Sequence, residues 1–392
     1  MPILASAWLL AQAALPPVDE IYLPTSPVLA VAAVIDLKGA TDGEEAALQV
    51  LAGCMEQGGK TYTRAAMANT DGVAQLPVVE AGQGYLLIRM AVQTSTPDVA
   101  APMLASLITE PIVNEDSVAA AQSRLSVSPD LLRRVWRPVE FKGDVTERDV
   151  QYVLRKFVRP ERVSFCLAGA FKAGDGVAAM RKANWTWSDL PERREFLRHK
   201  RFPLTTSLAE ANAWTTRLPL AKSGAGVSTA MLAANLLGVG KASTMFRVLR
   251  TDLAYSYRQE ATLLPTREGW LLGLSAFSTQ RTTTETVAAQ RLRLQEAVSK
   301  WTDADLLRAK RQWLAANDGV FPFDPAMSSP GIAIGDGAWG ESAMGALNRL
   351  IIGRPLSRSM LLSMTDNPKI GDVRALATKL LTEGQVQILP AR

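Results

Sequence analysis

The second half of the sequence repeats the first in the same order, which limits the chain to folds built from two copies of one unit. Gly59-Lys60 returns as Gly240-Lys241, and Tyr85-Leu86-Leu87 returns as Trp270-Leu271-Leu272. Val118, Ala121 and Leu125 return as Leu306, Ala309 and Trp313. The closing stretch aligns without a gap: Asp149-Val150, Lys156-Phe157-Val158, Val163 and Phe165 fall on Asp372-Val373, Lys379-Leu380-Leu381, Val386 and Ile388. The offsets between partners only grow along the chain, the pattern of a duplicated domain with insertions in its second copy. A chain of 392 residues, 47% of them hydrophobic, has core material for two domains of ordinary size.

Local periodicity gives each copy strands and helices. Pro27 to Gly39 is a Val- and Ile-rich β run, followed by helical spacing from Asp42 to Met55. A strand is predicted at Tyr85 to Gln93, a helix after Thr96-Pro97-Asp98, and another helix from Asn114 through Leu125. Thr146, with Glu147 and Asp149 behind it, reads as the cap of a helix that leads through Arg159-Pro160 into a strand from Val163 to Gly169. Residues 173–203 mix Gly, Trp, Pro and charge and read as a connector between a first domain at 24–172 and a second at 204–392. A Gly-rich patch from Ser329 to Gly340 reads as a mobile loop.

Composition removes several function classes. The chain has 43 basic and 38 acidic residues, a net +5 spread along its length, too small an excess to predict a nucleic-acid partner. The densest basic run, Arg193, Arg194, Arg198, Lys200 and Arg201, lies in the connector and reads as a solvated linker. Cys54 and Cys166 each sit in an apolar run and read as buried, inert thiols, with a disulfide between them left open. Residues 1–13 form an apolar stretch ending in Ala11-Gln12-Ala13, which reads as a signal peptide cleaved after Ala13, although no basic residue precedes it. Export to a periplasm or the exterior is therefore expected. No later run reaches the roughly 18 apolar residues needed to span a bilayer.

Three blocks resemble the insulinase/pitrilysin (inverzincin) metallopeptidase family. Gly39-Ala40-Thr41-Asp42-Gly43-Glu44-Glu45, its apolar helix and Gly58-Gly59-Lys60-Thr61 resemble the opening of an insulinase-type domain. Val145-Thr146-Glu147-Arg148-Asp149-Val150 through Arg159-Pro160-Glu161-Arg162-Val163 resembles its closing helix and strand. In the second half, Leu236 to Arg250 (LLGVGKASTMFRVLR) resembles the family's Gly-rich turn and following helix, and Leu253-Ala254-Tyr255-Ser256 resembles a strand start. The resemblance covers about residues 24–390. It implies an α+β protein of two tandem homologous insulinase-like domains, each a mostly antiparallel sheet with helices packed on one face.

The family's catalytic pattern is His-x-x-Glu-His on the first helix plus a Glu on a later one, with the two His binding zinc and the intervening Glu acting as general base. Aligned on Gly58-Gly59, those five positions hold Gln49-Val50-Leu51-Ala52-Gly53, none of which can ligate zinc or take a proton. The chain has one histidine, His199, in the basic connector, so a site with two His ligands is excluded by counting. Ser-His-Asp and Cys-His mechanisms need a positioned imidazole, and the one imidazole lies in the connector, which argues against both. Gly238-Val239-Gly240 lacks the third glycine of a dinucleotide fingerprint and the order of a P-loop, and reads as a packing turn. No cofactor is expected.

The resemblance also implies an Arg and a Tyr in the second domain that bind substrate backbone or the tetrahedral intermediate. Arg250 is the candidate arginine. Tyr255 lies inside the Leu-Ala-Tyr-Ser match, whereas Tyr257 stands at the family's seven-residue separation, and both remain candidates. The plainer reading has Arg250 closing a helix near its C-terminus, with the two tyrosines packed on one face of a strand. The functional expectation is a non-catalytic, substrate-binding subunit that partners a zinc-bearing insulinase-type chain and holds extended peptides. The alternative is a scaffold or envelope peptide-binding protein with no part in proteolysis.

Overall fold

The computed structural model describes residues 15–94, 97–127, 145–191, 212–220, 224–317, 337–356, 360 and 368–389. The expected signal segment, His199 and its basic run, and the start of the Gly-rich patch lie outside the described residues. Two compact units are present.

The first unit holds β1 (Val18–Tyr22), β2 (Val28–Asp36), α1 (Asp42–Met55), α2 (Arg64–Ala68), β3 (Val73–Gly82), β4 (Tyr85–Gln93), α3 (Ala100–Thr109), α4 (Glu115–Val127), α5 (Glu147–Phe157), β5 (Val163–Gly169) and α6 (Asp175–Lys182). Its sheet runs β1-β5-β2-β4-β3, with β1 parallel to β5 and β5 antiparallel to β2. From Leu29 to Ile35 every residue of β2 is buried, so this strand is a continuous apolar run rather than an alternating one. Helix α1 starts in a capping box in which Thr41 and Glu44 exchange backbone and side-chain hydrogen bonds. Glu44 is 3% exposed and also takes an ion pair from Lys156 of α5. The first and the closing helix of the unit are thereby tied together at the level of sequence positions 44 and 156.

Within the stretch read as a connector, Asp175–Lys182 is helical and belongs to the first unit. The Glu20 carboxylate accepts the Gly174 and Val177 backbone N–H groups, satisfying two donors that the start of α6 leaves open. Trp185 then packs on Phe165 and stacks on Trp187.

The second unit holds β6 (Asn212–Pro219), α7 (Gly224–Gly238), a π-helix at Phe246–Asp252, β7 (Arg258–Thr266), β8 (Gly269–Ser278), α8 (Thr284–Ser299), α9 (Asp303–Asn317), α10 (Gly337–Ile352), α11 (Ile370–Glu383) and β9 (Gln385–Leu389). Its sheet runs β7-β8-β6-β9, antiparallel at every step. Written from the other end, β9-β6-β8-β7 repeats the β5-β2-β4-β3 order of the first unit, with β1 the addition. The duplication read from the sequence is thus present in the strand order. Tyr85 and Trp270, matched by the repeat, are each 1% exposed.

Alternation along β6 sorts the faces of this sheet. Trp214 donates its indole N–H to Gln290 of α8, and Thr216 donates to the Leu380 carbonyl of α11. On the same face Trp270 donates to Asn348 of α10, whose amide in turn donates to the Leu356 carbonyl. Helices therefore line that face, as the resemblance implies. Ala213, Phe277 and Leu389 form a separate apolar cluster on the opposite face. Gly337 and Gly340, placed in a loop by the sequence reading, instead belong to α10, where Gly340 is buried. Both cysteines are buried and neither is in a disulfide, which closes that open question.

Candidate functional site

The positions that would carry a zinc ligand set lie on α1, and the residues there do not fit a metal. Leu51 and Val50 are core residues. A Cβ placed on Gly53 would sit 2.7 Å from the Ala121 Cβ and 3.2 Å from the Ala121 Cα. Helices α1 and α4 meet at that point closely enough to exclude even a methyl group, so an imidazole has no room. Among the described residues no group of three His, Cys, Asp or Glu is arranged to hold a metal ion. At the residue after Gly53, burial pushes the Cys54 thiol up to about 11, against a weaker opposing hydrogen bond with Ser117, so it stays protonated and inert.

The second candidate region is built around the π-helix. Helix α7 ends at Gly238, where a Cβ would lie 2.2 Å from the Ala261 amide nitrogen. Gly238 is therefore required for the approach of α7 to β7, which agrees with a packing turn. Gly240 takes φ +75° with open space around it, so its role is conformational. The Trp301 indole then donates to Thr244 at 2.9 Å and fixes the start of the following helix.

That helix widens into a π-helix from Phe246 to Asp252 and closes with the Leu253 N–H donating to the Val248 carbonyl. The Leu249 carbonyl accepts both the Tyr255 and the Ser256 N–H, at 2.8 and 3.0 Å. Just before them Ala254 sits at φ +46°, the one described non-glycine residue in the left-handed region. Wide helices and left-handed alanines both cost conformational energy, and both are concentrated here within nine residues.

This geometry separates the two candidate tyrosines. Tyr255 is 3% exposed and its hydroxyl bonds to Thr282. Burial pushes its phenol up, with hydrogen bonds to Thr282, Gln290 and Ser278 acting the other way. Tyr257 is 71% exposed. The two do not share a strand face: β7 begins only at Arg258, and the left-handed turn at Ala254 precedes both tyrosines. Leu253-Ala254-Tyr255-Ser256 is accordingly a turn, not the strand start that the resemblance implied.

Arg250 is exposed on the π-helix. Its guanidinium carbon lies 5.0 Å from the centre of the Phe246 ring and 5.5 Å from that of Tyr257. Both contacts are in the cation–π range. The structure thus brings Arg250 together with Tyr257 and leaves Tyr255 out. Phe246 was not singled out from the sequence, although its place four residues before Arg250 on a helix is the signal that would have found it. Stacking occupies the flat faces of a guanidinium and leaves its edge N–H groups free to donate.

No protein-family model matches the sequence, and no curated protein matches it. Solved structures do, over nearly the whole chain. A protease from Helicobacter pylori is similar at a TM-score of 0.67 and 12% identity, covering 95% of this chain and 96% of its own. A peptidase M16 inactive domain from Pseudomonas fluorescens is similar at 0.66 and 13%, covering 96% and 95%. A chain of complex III2 from Candida albicans is similar at 0.62 and 12%, covering 95% and 92%. The fold is that of the insulinase-like M16 peptidases. In this M16-type fold the two units share a strand order, and the first helix of the first unit carries Gln49 to Gly53, none of which can ligate a metal. No described helix is long and apolar enough to cross a membrane.

Proposed function

We propose that the chain is a non-catalytic, exported subunit that pairs with a zinc-bearing insulinase-type chain and holds extended peptides for it through Arg250 and Tyr257. The observation that carries this reading is the contrast at two places in one fold. Gly53 is closed against Ala121 where a ligand would stand, while the Arg250 guanidinium is braced by two rings with its edges unspent. A guanidinium held in this way donates to a peptide carbonyl or to a developing oxyanion without first ordering itself, which is the condition for electrostatic assistance in a transition state.

The test is reconstitution with a zinc-bearing insulinase-type chain from the same genome. Turnover of a peptide substrate by the pair is expected to fall about 10²-fold in Arg250→Ala, the scale of losing one oxyanion-type donor, with assembly intact. A scaffold role is the second reading, supported by the likeness to a chain of complex III2. Assembly with turnover unchanged by Arg250→Ala puts that reading first.

A further inference from the structure

The charge around the clamp goes beyond what holding a neutral peptide bond requires. From Lys241 to Arg258 the described chain carries Lys241, Arg247, Arg250 and Arg258 against one acidic residue, Asp252. Arg247, Arg250 and Arg258 are all exposed. The 280–282 segment adds to them: Gln280 donates to the Ala254 carbonyl and Thr282 bonds to Tyr255, which sets exposed Arg281 beside the same turn. Arg258 also lies over a ring, with its guanidinium carbon 5.3 Å from the Phe277 ring centre. Among the described residues no carboxylate pairs with Arg250, and the next-door apolar surface is Tyr257 and Leu253, the latter 40% exposed.

A carbonyl oxygen uses one or two guanidinium N–H groups and gains little from surrounding positive charge. A carboxylate takes the two parallel N–H groups of a guanidinium edge as a bidentate pair, and every further cation nearby favours it over a neutral group. Resting on the peptide-holding reading above, we infer that Arg250 is a carboxylate-recognition residue, and that the site selects peptides presenting a carboxylate beside an apolar side chain. Two sources supply that chemistry: the free C-terminus of a peptide, or an Asp or Glu side chain within it. The ring faces of Phe246 and Tyr257 hold the guanidinium plane, and the apolar neighbour of the carboxylate lies on Tyr257 and Leu253.

Fluorescence anisotropy with the full chain and labelled peptides tests this. One pair of peptides differs only in a C-terminal carboxylate against a carboxamide, and another only in Glu against Gln. At least one carboxylate-to-amide change is expected to weaken binding about tenfold, the scale of a charge-assisted pair. The arm that responds names the source. In Arg250→Gln that difference should vanish, and Arg250→Lys, which keeps charge without the fork, should restore only part of it. Tyr257→Phe should preserve the difference, since it keeps the ring, and Tyr257→Ala should reduce it. Equal binding of carboxylate and amide peptides to the unaltered protein overturns carboxylate recognition while leaving peptide holding in place, as does a difference that persists in Arg250→Gln. If no peptide binds, the peptide-holding reading falls and this inference with it.

Discussion

Gly59 and Gly240 occupy matched positions in the two units, yet they are glycines for different reasons. A Cβ on Gly59 would lie 2.3 Å from both the carbonyl and the hydroxyl oxygen of Ser106, whose hydroxyl also accepts the Thr61 and Tyr62 N–H groups. A Cβ on Gly240 would meet nothing within 4 Å, and what that residue needs is its φ of +75°. The first unit uses the turn after its opening helix to close a tight contact. The second uses the corresponding turn to redirect the chain into a π-helix that presents Arg250. A duplicated fold can therefore keep strand order while one copy closes its turn against a neighbouring helix and the other presents an exposed arginine.

The largest expected effect breaks that pair apart. Gly59→Ala forces a backbone oxygen to move and should cost about 3 kcal/mol or more in denaturant unfolding, whereas Gly240→Ala should cost only the left-handed penalty of about 1 kcal/mol. Similar losses at both sites would mean that the two turns do the same work after all.

A smaller effect concerns the closed helix contact of the first unit. Gly53→Ala pushes a methyl group into Ala121 and should cost about 2 kcal/mol, while the double substitution Gly53→Ala with Ala121→Gly should recover part of that loss. Additive losses in the double variant would show that α1 and α4 do not meet at these residues.

The smallest effect compares the caps of two matched helices. In α4 the Asn114 side chain accepts the Ser117 N–H and the Ser117 hydroxyl accepts the Asn114 N–H, with nothing to titrate. In α9 the matched residues are Thr302 and Asp305, and the Asp305 carboxylate accepts the Thr302 N–H and hydroxyl. Partial burial acts to raise the Asp305 carboxyl, but those hydrogen bonds and Arg308 outweigh it and hold it below its ordinary value of 3.8. A carboxyl depressed by folding lends stability that is fully present above the unfolded value and is lost as pH falls through the folded one. Acidification below pH 3.8 should therefore remove this cap from the second unit and spare that of the first. Asp305→Asn should cost roughly 0.5 kcal/mol near neutral pH and progressively less in acid.

Much of this architecture could be read from residues. The α1 span from Asp42 to Met55, β4 from Tyr85 to Gln93 and β5 from Val163 to Gly169 have the bounds their periodicity gives. Their runs are long, apolar and capped. Among the strands missed are β1, two of whose five residues are acidic, β3, which is interrupted by Pro77, and β6 at Asn212–Pro219. Helix α6 was hidden because its eight residues depend on Glu20, far away in sequence, to satisfy its first turn. At the candidate site, the sequence named Arg250, Tyr255 and Tyr257 but left open which tyrosine lies against the arginine. Spacing rules assume one regular element between two residues, and the left-handed Ala254 breaks that assumption between Arg250 and the tyrosines. Nothing in an alanine announces a positive φ.

The central claim is that the opening helix has given up metal chemistry and that the exposed chemistry lies in the second unit. Elemental analysis of the purified, dialysed chain tests its first half most directly. With Gln49, Ala52 and Gly53 at the ligand positions and His199 the sole imidazole, the protein should retain no stoichiometric zinc and should cleave no unstructured peptide by itself. One tightly held zinc per chain, with peptide cleavage that a chelator abolishes, would contradict the account.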